Sequence, residues 1–505
     1  MTLSFELLAV IVLVVLAFGD LIVGVVNDAV NFLNSAIGSK VASKKTIMIV
    51  AAVGLFIGAT FSDGIIEVAR KGIFHPSFFE LKEVIIICTA VALADIVLLD
   101  LYSTFGLPTS TTVSIVFELL GAAFILALWK TGSFDGAWEA VNSASALKII
   151  IGILLSVAVA FVAGLVAQFV TRLILTYDFW PRMKTWGVLW GGAVLTALLF
   201  FILLKGGKHA PFMTPEVKEW IKFNTLNILW MSYIAFTVFS FVFIRINKEA
   251  FVKFLVLLGT CCLAIAFAGN DLANFIAVSI AGVHAFLGHA LEAKLTTPLW
   301  ALFLAGGTMV VALIYSRKAG TVVNTSVHLA SEAKHVKNHF NDNPFAAKFI
   351  SAVLFIYSLC MMLIPKSLKK WMASRFDRSK QQAHGADFDL IRAGVNLMVA
   401  GVVISLATSM KLPLSTTYVT FMVAMGAALG DGAWTRDCGA CRVTGVATVV
   451  GGWFVTAVLA FIMAGFTVSV LHFAHTLGLA LMVLVVGVIV YKLAHVHDKR
   501  NGKAA

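Results

Sequence analysis

One polar pattern, Asn-Asp-x-x-Asn, occurs twice in this sequence, each time directly after an apolar run. The two copies are Asn27-Asp28-x-x-Asn31 and Asn270-Asp271-x-x-Asn274. On a helix, the two asparagines of a copy lie one turn apart, with the aspartate beside them. Carboxylate and amide oxygens are hard ligands that suit Na⁺ or another oxygen-seeking cation, and the amide NH₂ groups can donate to an anion. An ionisable residue at membrane depth marks an ion or substrate pathway, so we predict a functional site and not only glue between helices.

A second pattern, Pro-x-Ser-Thr-Thr, follows each Asn-Asp-x-x-Asn copy. Pro108 and Pro413 suit the first turn of a helix, where a missing N–H matters little. A helix N-terminus offers free N–H groups and the positive end of its dipole to an anion. The pattern therefore predicts an oxyanion cradle in two halves, made of Ser110, Thr111, Thr112, Ser415, Thr416 and Thr417. For either motif alone, an ordinary N-cap is the competing interpretation.

The two patterns recur in the same order in both halves of the chain, which indicates an internal duplication. The second half has a longer stretch between its two patterns, and a charged insertion around residues 316–390 accounts for the difference. Interrupted hydrophobic segments at corresponding places in two halves are typical of a transporter binding site. A site built from two related half-sites needs each polar motif twice, which explains the repetition.

The composition places these motifs in a membrane protein. Of the 505 residues, 60% are hydrophobic and only 13% are charged, where soluble domains average roughly 25%. Many apolar runs approach the roughly 20 residues that cross a bilayer. Because the hydrocarbon core cannot satisfy backbone polar groups, runs of this length predict transmembrane helices. We expect an all-α, polytopic protein with about 12 spanning units, counting short pieces as half-helices or hairpin arms.

The excess of basic residues is assigned to membrane topology and not to nucleic-acid binding. The net charge is +12, and six Lys and Arg residues lie between Lys366 and Lys380, as in a cytoplasmic loop. The basic tail, residues 493–505, is expected to be disordered; binding of anionic lipid is the alternative for such segments. Cys438 and Cys441 form a lone CxxC without a second ligand pair, so no transition-metal site is predicted.

These features divide the chain into six regions. They are the core of repeat 1 with both of its motifs, additional spanning helices, the first part of repeat 2, a charged insertion with one short apolar segment, the second part of repeat 2, and the basic tail. The corresponding residues are 1–130, 131–249, 250–315, 316–390, 391–492 and 493–505. The expected location is the cell membrane, either plasma or inner.

The sequence around the motifs resembles the inorganic phosphate transporter (PiT, or Pho-4) family. The resemblance is carried, in both halves, by VVNDAVNFLNSAIGSK, GLPTSTTVSIVFELLGA, FAGNDLANFIAVSIAG and KLPLSTTYVTFMVAMGA. It implies inverted repeats with two re-entrant hairpins, and cation-coupled uptake of phosphate. On this basis the cradle binds phosphate together with Asn27 and Asn270. The assigned cation ligands are Asp28, Asn31, Asp271 and Asn274.

Departures from the family pattern bear on the coupling ion. Val25-Val26 replaces the Gly-Ala that precedes Asn27 in the family, and the histidine often found after Ser-Thr-Thr is Val113 in one half and Tyr418 in the other. Glu67 matches a functional acidic residue of the family and is an accessory candidate; a rim charge paired with a nearby basic residue is the alternative. Both Na⁺ and H⁺ remain open, and the oxygen ligands favour Na⁺.

Other functions compete with phosphate uptake. A sulfate permease would share the architecture. A carboxylate held against the oxyanion would reward phosphate, which can donate a hydrogen bond, and repel sulfate, whereas carboxylates fully engaged with cations would not distinguish the two anions. An intramembrane enzyme could use Asp28 and Asp271 as a carboxylate dyad, although duplicated hydroxyl cradles have no role in such chemistry. No HExxH, GxSxG or glycine-rich nucleotide loop is found, so we predict neither an enzyme nor a cofactor. A channel is a further alternative, and the alternating-access pattern of broken repeats argues against it. A homodimer is the expected assembly.

Overall fold

The computed structural model describes residues 4–62, 73–201, 214–288, 298–331, 365–378, 385–409, 414–435 and 439–502. Within these ranges every regular element is a helix, and the one β-bridge, between Phe74 and Val141, is isolated. The prediction of an all-α membrane fold is therefore confirmed.

The helices follow the apolar runs, and polar caps set many of their starts. Side chains of Ser4, Ser43 and Asn142 accept hydrogen bonds from N–H groups of the first turn of three of them. The α-helices of the described ranges are α1 (Phe5–Asp28), α2 (Val30–Gly38), α3 (Lys44–Thr60), α4 (Leu81–Phe105), α5 (Thr111–Thr131), α6 (Phe134–Glu139), α7 (Ser143–Leu175), α8 (Trp186–Phe201), α9 (Pro215–Phe223), α10 (Thr225–Phe286), α11 (Leu299–Tyr315), α12 (Lys318–Ala330), α13 (Lys366–Arg375), α14 (Leu390–Ser409), α15 (Thr416–Gly430) and α16 (Gly439–Gly502).

The helices have the length and composition of membrane spans. In the described ranges, seven helical stretches are long and apolar enough to cross a bilayer, or up to eight if α11 and α12, bent by 70° at the break between them, count as one span. Two apolar helices, α8 and α15, are shorter. The total of about 12 spanning units and the inverted orientation of the halves stay predictions.

Both Asn-Asp-x-x-Asn copies lie on helices. The two longest helices, α10 and α16, each contain one residue with non-helical backbone, Asn247 and His475, and are therefore two helices joined at a kink. Asp271 lies well inside the regular second part of α10. In the first copy, only Ala29 separates α1 from α2, and its backbone angles are still helical. The chain thus crosses both polar clusters without unwinding.

The Ser-Thr-Thr motifs, in contrast, each begin a new helix. Ser110 caps α5 and Ser415 caps α15, so that the helices start at the residue after each serine. In the first half, α4 ends at Gly106, whose φ of 71° is the left-handed conformation that favours glycine. Pro108 precedes the cap and lies outside the first helical turn, which corrects our expectation. The reason is that the serine, not the proline, occupies the capping position.

Glycines on α5 and α15, the two helices that begin at the Ser-Thr-Thr motifs, allow backbone contact with a long neighbouring helix. A Cβ atom at Gly121 on α5 would lie 2.2 Å from the carbonyl oxygen of Phe461 on α16. One at Gly426 on α15 would lie 2.0 Å from that of Phe161 on α7. The two glycines stand at the same distance after the serine of their motifs. Both helices that begin at a Ser-Thr-Thr motif therefore pack closely on a long helix, α5 on α16 and α15 on α7.

A buried ionic cluster joins the ends of α7, α14 and α15. Arg172 donates to Asp431 and to Asp389, both at 2.6 Å. Gln168 donates to Asp431 at 3.0 Å, and Arg392 lies 3.5 Å from the same carboxylate. The side chains of Arg172 and Asp431 are fully buried. The cluster fixes the C-terminal end of α15, the helix whose N-terminal end carries the second Ser-Thr-Thr motif, onto α7.

Part of the charged insertion and most of the basic tail are packed against the helices. Part of the charged insertion forms α12, where Ser326 accepts a hydrogen bond from Asn34 at 2.7 Å. The expected disorder of the basic tail is wrong over residues 493–502, because α16 continues through them. His497 is buried there and is hydrogen bonded to Thr321 of α12 at 3.0 Å. Apolar residues spaced along one face of α12 explain why this part of the insertion packs on the other helices. The contact with α12 explains why the tail is ordered over residues 493–502.

Candidate functional site

The polar motifs of both halves meet in one buried centre, with Asp28 at its middle. Asp28 accepts a hydrogen bond from Thr111 of its own half at 3.2 Å. It also accepts one from Thr417 of the other half at 2.7 Å. Its side chain is 0% exposed. One carboxylate thus contacts the first turns of both α5 and α15. We call the residues of the two patterns that contact one another here the motif centre.

Asp271, the counterpart of Asp28, lies against the same helix start. Thr416 donates to Asp271 at 2.6 Å, and Asn274 donates to it at 3.1 Å. Because Thr416 and Thr417 are consecutive residues, one helix N-terminus places a hydroxyl donor on each aspartate. The two carboxylates also interact electrostatically, so they belong to a single site.

The second asparagine of each copy reaches across to the other half. Asn31 donates to Thr417 at 3.0 Å and accepts from Thr420 at 3.1 Å. Asn274 donates to Thr112 at 3.0 Å. Thr112 and Thr417 are the same position of the motif, so the two contacts are equivalent. This equivalence is what two related half-sites would produce.

The side chain of Asn27 points toward the loop of its own half, between α4 and α5, and not toward the threonines that donate to Asp28 and Asp271. Its amide NH₂ donates to Ser103 at 3.1 Å and to the carbonyl of Leu107 at 3.2 Å. Its amide oxygen accepts from the N–H of Thr109 at 3.0 Å. Asn27 therefore holds the connection between α4 and α5 in place. Its counterpart Asn270 is partly exposed.

The serines of the cradle act as N-caps through their oxygen atoms. Ser110 accepts from the N–H of Val113, and Ser415 accepts from that of Tyr418, both at 3.2 Å. The competing interpretation of the motifs as ordinary N-caps thus holds for the hydroxyl oxygen of each serine. It does not exclude anion binding, because capping uses a lone pair and leaves the hydroxyl proton as a donor.

The electrostatics of the motif centre call for a cation. Asp28 accepts hydrogen bonds from hydroxyl groups, and no basic side chain of the described residues pairs with it. An ionised carboxylate buried without a counter-charge is costly at membrane depth. A hard cation between Asp28 and Asp271 would remove that cost, and the surrounding carboxylate, amide and hydroxyl oxygens are suitable ligands. In the described ranges, no group of three His, Cys, Asp or Glu side chains is placed to hold a metal ion.

The structure adds residues that no motif indicated. Trp453 on α16 donates to the carbonyl of Pro108 at 3.1 Å, and its ring stacks on Tyr418 at 3.7 Å. Thr456, one turn later, is hydrogen bonded to Thr109 at 2.8 Å. These contacts fasten the loop before α5 to the start of α15. Trp453 and Thr456 lie in a long apolar run, and nothing in that run sets them apart.

Some predicted residues cannot be placed in this centre. Glu67, Pro413 and Cys438 lie outside the described residues. The accessory role of Glu67 therefore stays a prediction. The cation and phosphate ligands assigned from sequence also stay predictions, although the described geometry brings most of them together.

A polytopic helical protein whose two halves contribute paired polar motifs and helix N-termini to one buried centre has the architecture of a membrane transporter. The Phosphate transporter family matches residues 24–328. The chain belongs to this family, and it is accordingly a transporter-family protein and not an enzyme. The match includes both Asn-Asp-x-x-Asn copies and the first Ser-Thr-Thr motif.

Individual relatives are similar over part of the chain. A Pyrococcus furiosus protein named as a phosphate permease is 27% identical over 287 residues, which is 55% of this chain and 67% of the relative. A Thermococcus kodakarensis protein of the same description is 28% identical over 294 residues, with 55% and 68% covered. A Bacillus subtilis protein named as a low-affinity inorganic phosphate transporter is 30% identical over 164 residues, which is 32% of this chain and 45% of the relative.

The fold is similar to a solved structure over nearly the whole chain. That structure is of a sodium-dependent phosphate transporter. The TM-score is 0.64, and the match covers 92% of this chain and 99% of the other. The sequences are 18% identical, so the likeness concerns the fold.

Proposed function

We propose that this protein is a secondary active transporter that takes up inorganic phosphate together with Na⁺. The observation that carries the proposal is the sharing of donors between motifs: Thr417 donates to Asp28 across the two halves, and Thr111 donates to it from the same half. The helix starts suited to an anion and the carboxylates suited to a cation therefore form one site. In this proposal Asn27 positions the loop, and the other predicted ligands keep their assigned roles.

The shared hydroxyls give coupling a physical basis. Thr111, Thr416 and Thr417 all donate to the aspartates. A cation bound to the carboxylates competes for the same oxygens, so the hydroxyls become free to donate to an anion. It also cancels the negative charge that would repel phosphate at the helix N-termini. Each ligand then raises the affinity for the other, which is the linkage that symport needs.

Phosphate is favoured over sulfate by the family and by the chemistry of the site. Phosphate carries a proton at neutral pH and can donate to a carboxylate oxygen that the cation leaves free, whereas sulfate can only accept. The experiment is counterflow of labelled phosphate in liposomes that contain the purified protein. We expect unlabelled phosphate inside the vesicles to drive accumulation, and sulfate to fail. Equal exchange with sulfate would contradict the proposed substrate.

Two arguments favour Na⁺ over H⁺ as the coupling ion. The predicted ligands are hard oxygen atoms, and the solved structure with a similar fold is of a sodium-dependent transporter. We expect replacement of external Na⁺ by choline, at constant pH, to stop concentrative phosphate uptake into proteoliposomes. Uptake that continues in choline and follows an imposed pH gradient would show that protons drive transport instead.

Removal of one cradle hydroxyl should weaken phosphate binding by a graded amount. Val is nearly isosteric with Thr, and hydrogen bonds to charged groups are worth roughly 1.5–3 kcal/mol. Thr112→Val and Thr417→Val should therefore each raise the Kd for phosphate by roughly 10- to 150-fold at about 1.4 kcal/mol per decade. The measurement is equilibrium binding of labelled phosphate in saturating Na⁺.

A matched control is available for this pair. Thr448 is exposed on α16, and its hydroxyl bonds only the carbonyl of Thr444 in its own helix, at 2.8 Å. Thr448→Val should leave the Kd for phosphate unchanged. If Val at positions 112 and 417 were equally silent, the Ser-Thr-Thr motifs would be helix caps alone, and phosphate would have to bind elsewhere.

The surroundings of the transporter are also part of the proposal. The apolar helices around the motif centre support a location inside a bilayer, and we assign the protein to the plasma or inner membrane of the cell. We retain the six-region division and a homodimer as proposals. Mass measurement of the purified protein in detergent would show a single chain if the homodimer is wrong.

A further inference from the structure

A second set of buried acidic side chains lies in the first half, outside the motif centre. Asp20 on α1, Asp95 on α4 and Glu118 on α5 are 2%, 0% and 0% exposed. Asp95 accepts a hydrogen bond from Ser114 at 2.5 Å. One oxygen of Asp20, one of Asp95 and both of Glu118 have no hydrogen-bond partner. The proposed phosphate and Na⁺ site uses none of the three carboxyl groups.

Glu118 faces the other two acids and meets no counter-charge. Its carboxyl group interacts directly with that of Asp95 from α4, and electrostatically with that of Asp20 from α1. The helices α6, α10 and α16, which also pack on α5, bring no charged side chain of the described residues to it. Asp28 of the motif centre is also in electrostatic range of Asp95.

The unpartnered oxygens identify what this cluster is built to hold. An ionised carboxylate can only accept hydrogen bonds, so two that face each other leave both without a donor. Three buried negative charges without a cation are also strongly unfavourable at membrane depth. A proton on one carboxyl group lowers the charge and turns that group into a donor to the next. Both effects favour a proton as the occupant.

We propose that Glu118 and Asp95, with Asp20 beside them, form a proton-binding site distinct from the motif centre. Two of its three acids have no acidic counterpart in the second half. Counted from the motifs, the counterparts of Asp20 and Glu118 in the second half are Leu263 and Val423, which are buried among apolar side chains. The duplication thus repeats the surrounding helices but not the acidic residues at these two positions.

Ser114 connects the proton site to the phosphate cradle. Its hydroxyl lies between Asp95 and the carbonyl of Thr111, at 2.5 Å and 3.3 Å. A change of charge at Asp95 therefore acts on the first turn of α5, where Thr111 donates to Asp28. If the protein transports phosphate as proposed above, the occupancy of this site makes transport depend on pH in addition to Na⁺.

The proton can be observed directly by infrared spectroscopy of the purified protein. We expect a carboxylic-acid C=O band at neutral pH that is the same with and without Na⁺. Glu118→Gln should remove it, because the Gln amide donates to Asp95 in place of the proton. Glu139→Gln, which changes an exposed residue of α6, should leave it intact. A band that is absent from the wild type, unchanged in Glu118→Gln, or abolished by Na⁺ would overturn the proposal.

A second variant tests the consequence for transport. Glu118→Val installs the residue found at the counterpart position, and replacing a buried charge by an apolar side chain is often neutral or stabilising. We expect the ratio of its phosphate uptake to that of the wild type to change with pH, and the ratio for Glu139→Gln to stay constant. A constant ratio for Glu118→Val would refute the link to transport. Absence of uptake by the wild type would refute the proposed function, while the infrared result would stand on its own.

Discussion

Asp28→Asn and Asp271→Asn are each expected to abolish gradient-driven phosphate uptake while folded protein remains in the membrane. Asparagine keeps the size of the side chain and can still accept the threonine hydroxyls, but it removes the charge that compensates a bound cation. A cation at membrane depth without this charge would be strongly disfavoured. Uptake in proteoliposomes measures the loss, and size-exclusion chromatography of the purified variants checks the fold.

A binding measurement separates loss of Na⁺ from loss of phosphate. A ligand that binds only the folded state raises the thermal stability, so Na⁺ should raise the Tm of the wild type and not that of either variant. Asp135→Asn, at an exposed position on α6, is the matched control and should behave as the wild type. Wild-type uptake rates in Asp28→Asn or Asp271→Asn would refute the cation assignment. The loss should be complete here, in contrast to the graded effect of the threonine variants.

Arg172→Met is expected to lower the free energy of unfolding by about 3–5 kcal/mol, the usual cost of breaking a buried ion pair on one side. The variant leaves Asp431 and Asp389 without their 2.6 Å partner, and Asp431 is fully buried. Met fills a similar volume, so the loss reports on charge more than on a cavity. Denaturant titration in detergent, followed by tryptophan fluorescence, would measure it.

An exposed ion pair provides the comparison for this variant. Lys253 and Glu249 lie 2.6 Å apart one helical turn from each other, with side chains 43% and 60% exposed. Exposed pairs contribute roughly 0–1 kcal/mol, so Lys253→Met should have little effect. Equal destabilisation by Arg172→Met and Lys253→Met would show that the buried cluster does not anchor α15. Such a result would also remove the rigid support that we assign to Thr416 and Thr417.

The fold class and the identity of the polar motifs could be predicted because both depend on local features. Long apolar runs require helices in a bilayer, whatever surrounds them. The duplicated Asn-Asp-x-x-Asn and Ser-Thr-Thr patterns stand out against those runs, and their recurrence predicted that Asp28 and Asp271 would belong together. The capping role of Ser110 and Ser415 was the competing interpretation of these motifs, and it could be considered from sequence because a cap involves residues only three positions apart.

The structure assigned partners that no local pattern specifies. Arg172 pairs with Asp431, 259 residues away, and Asn31 with Thr417, 386 residues away. Asn27 and Asn31 belong to the same motif, yet one holds a loop of its own half and the other crosses to the opposite half. The direction in which each side chain points depends on how the helices pack. Spacing along the chain does not contain that information.

The acids of the proposed proton-binding site show most clearly what the sequence determines and what only the tertiary structure decides. Asp20, Asp95 and Glu118 lie in three separate apolar runs, and the sequence alone determined only that each is costly to bury. Hydropathy and motif spacing are properties of one segment, so the sequence sufficed for the helices, the duplication and the family. Which acids face one another is a property of several helices in contact. Only the tertiary structure could bring these three together beside the motif centre, with Asp95 in electrostatic range of Asp28.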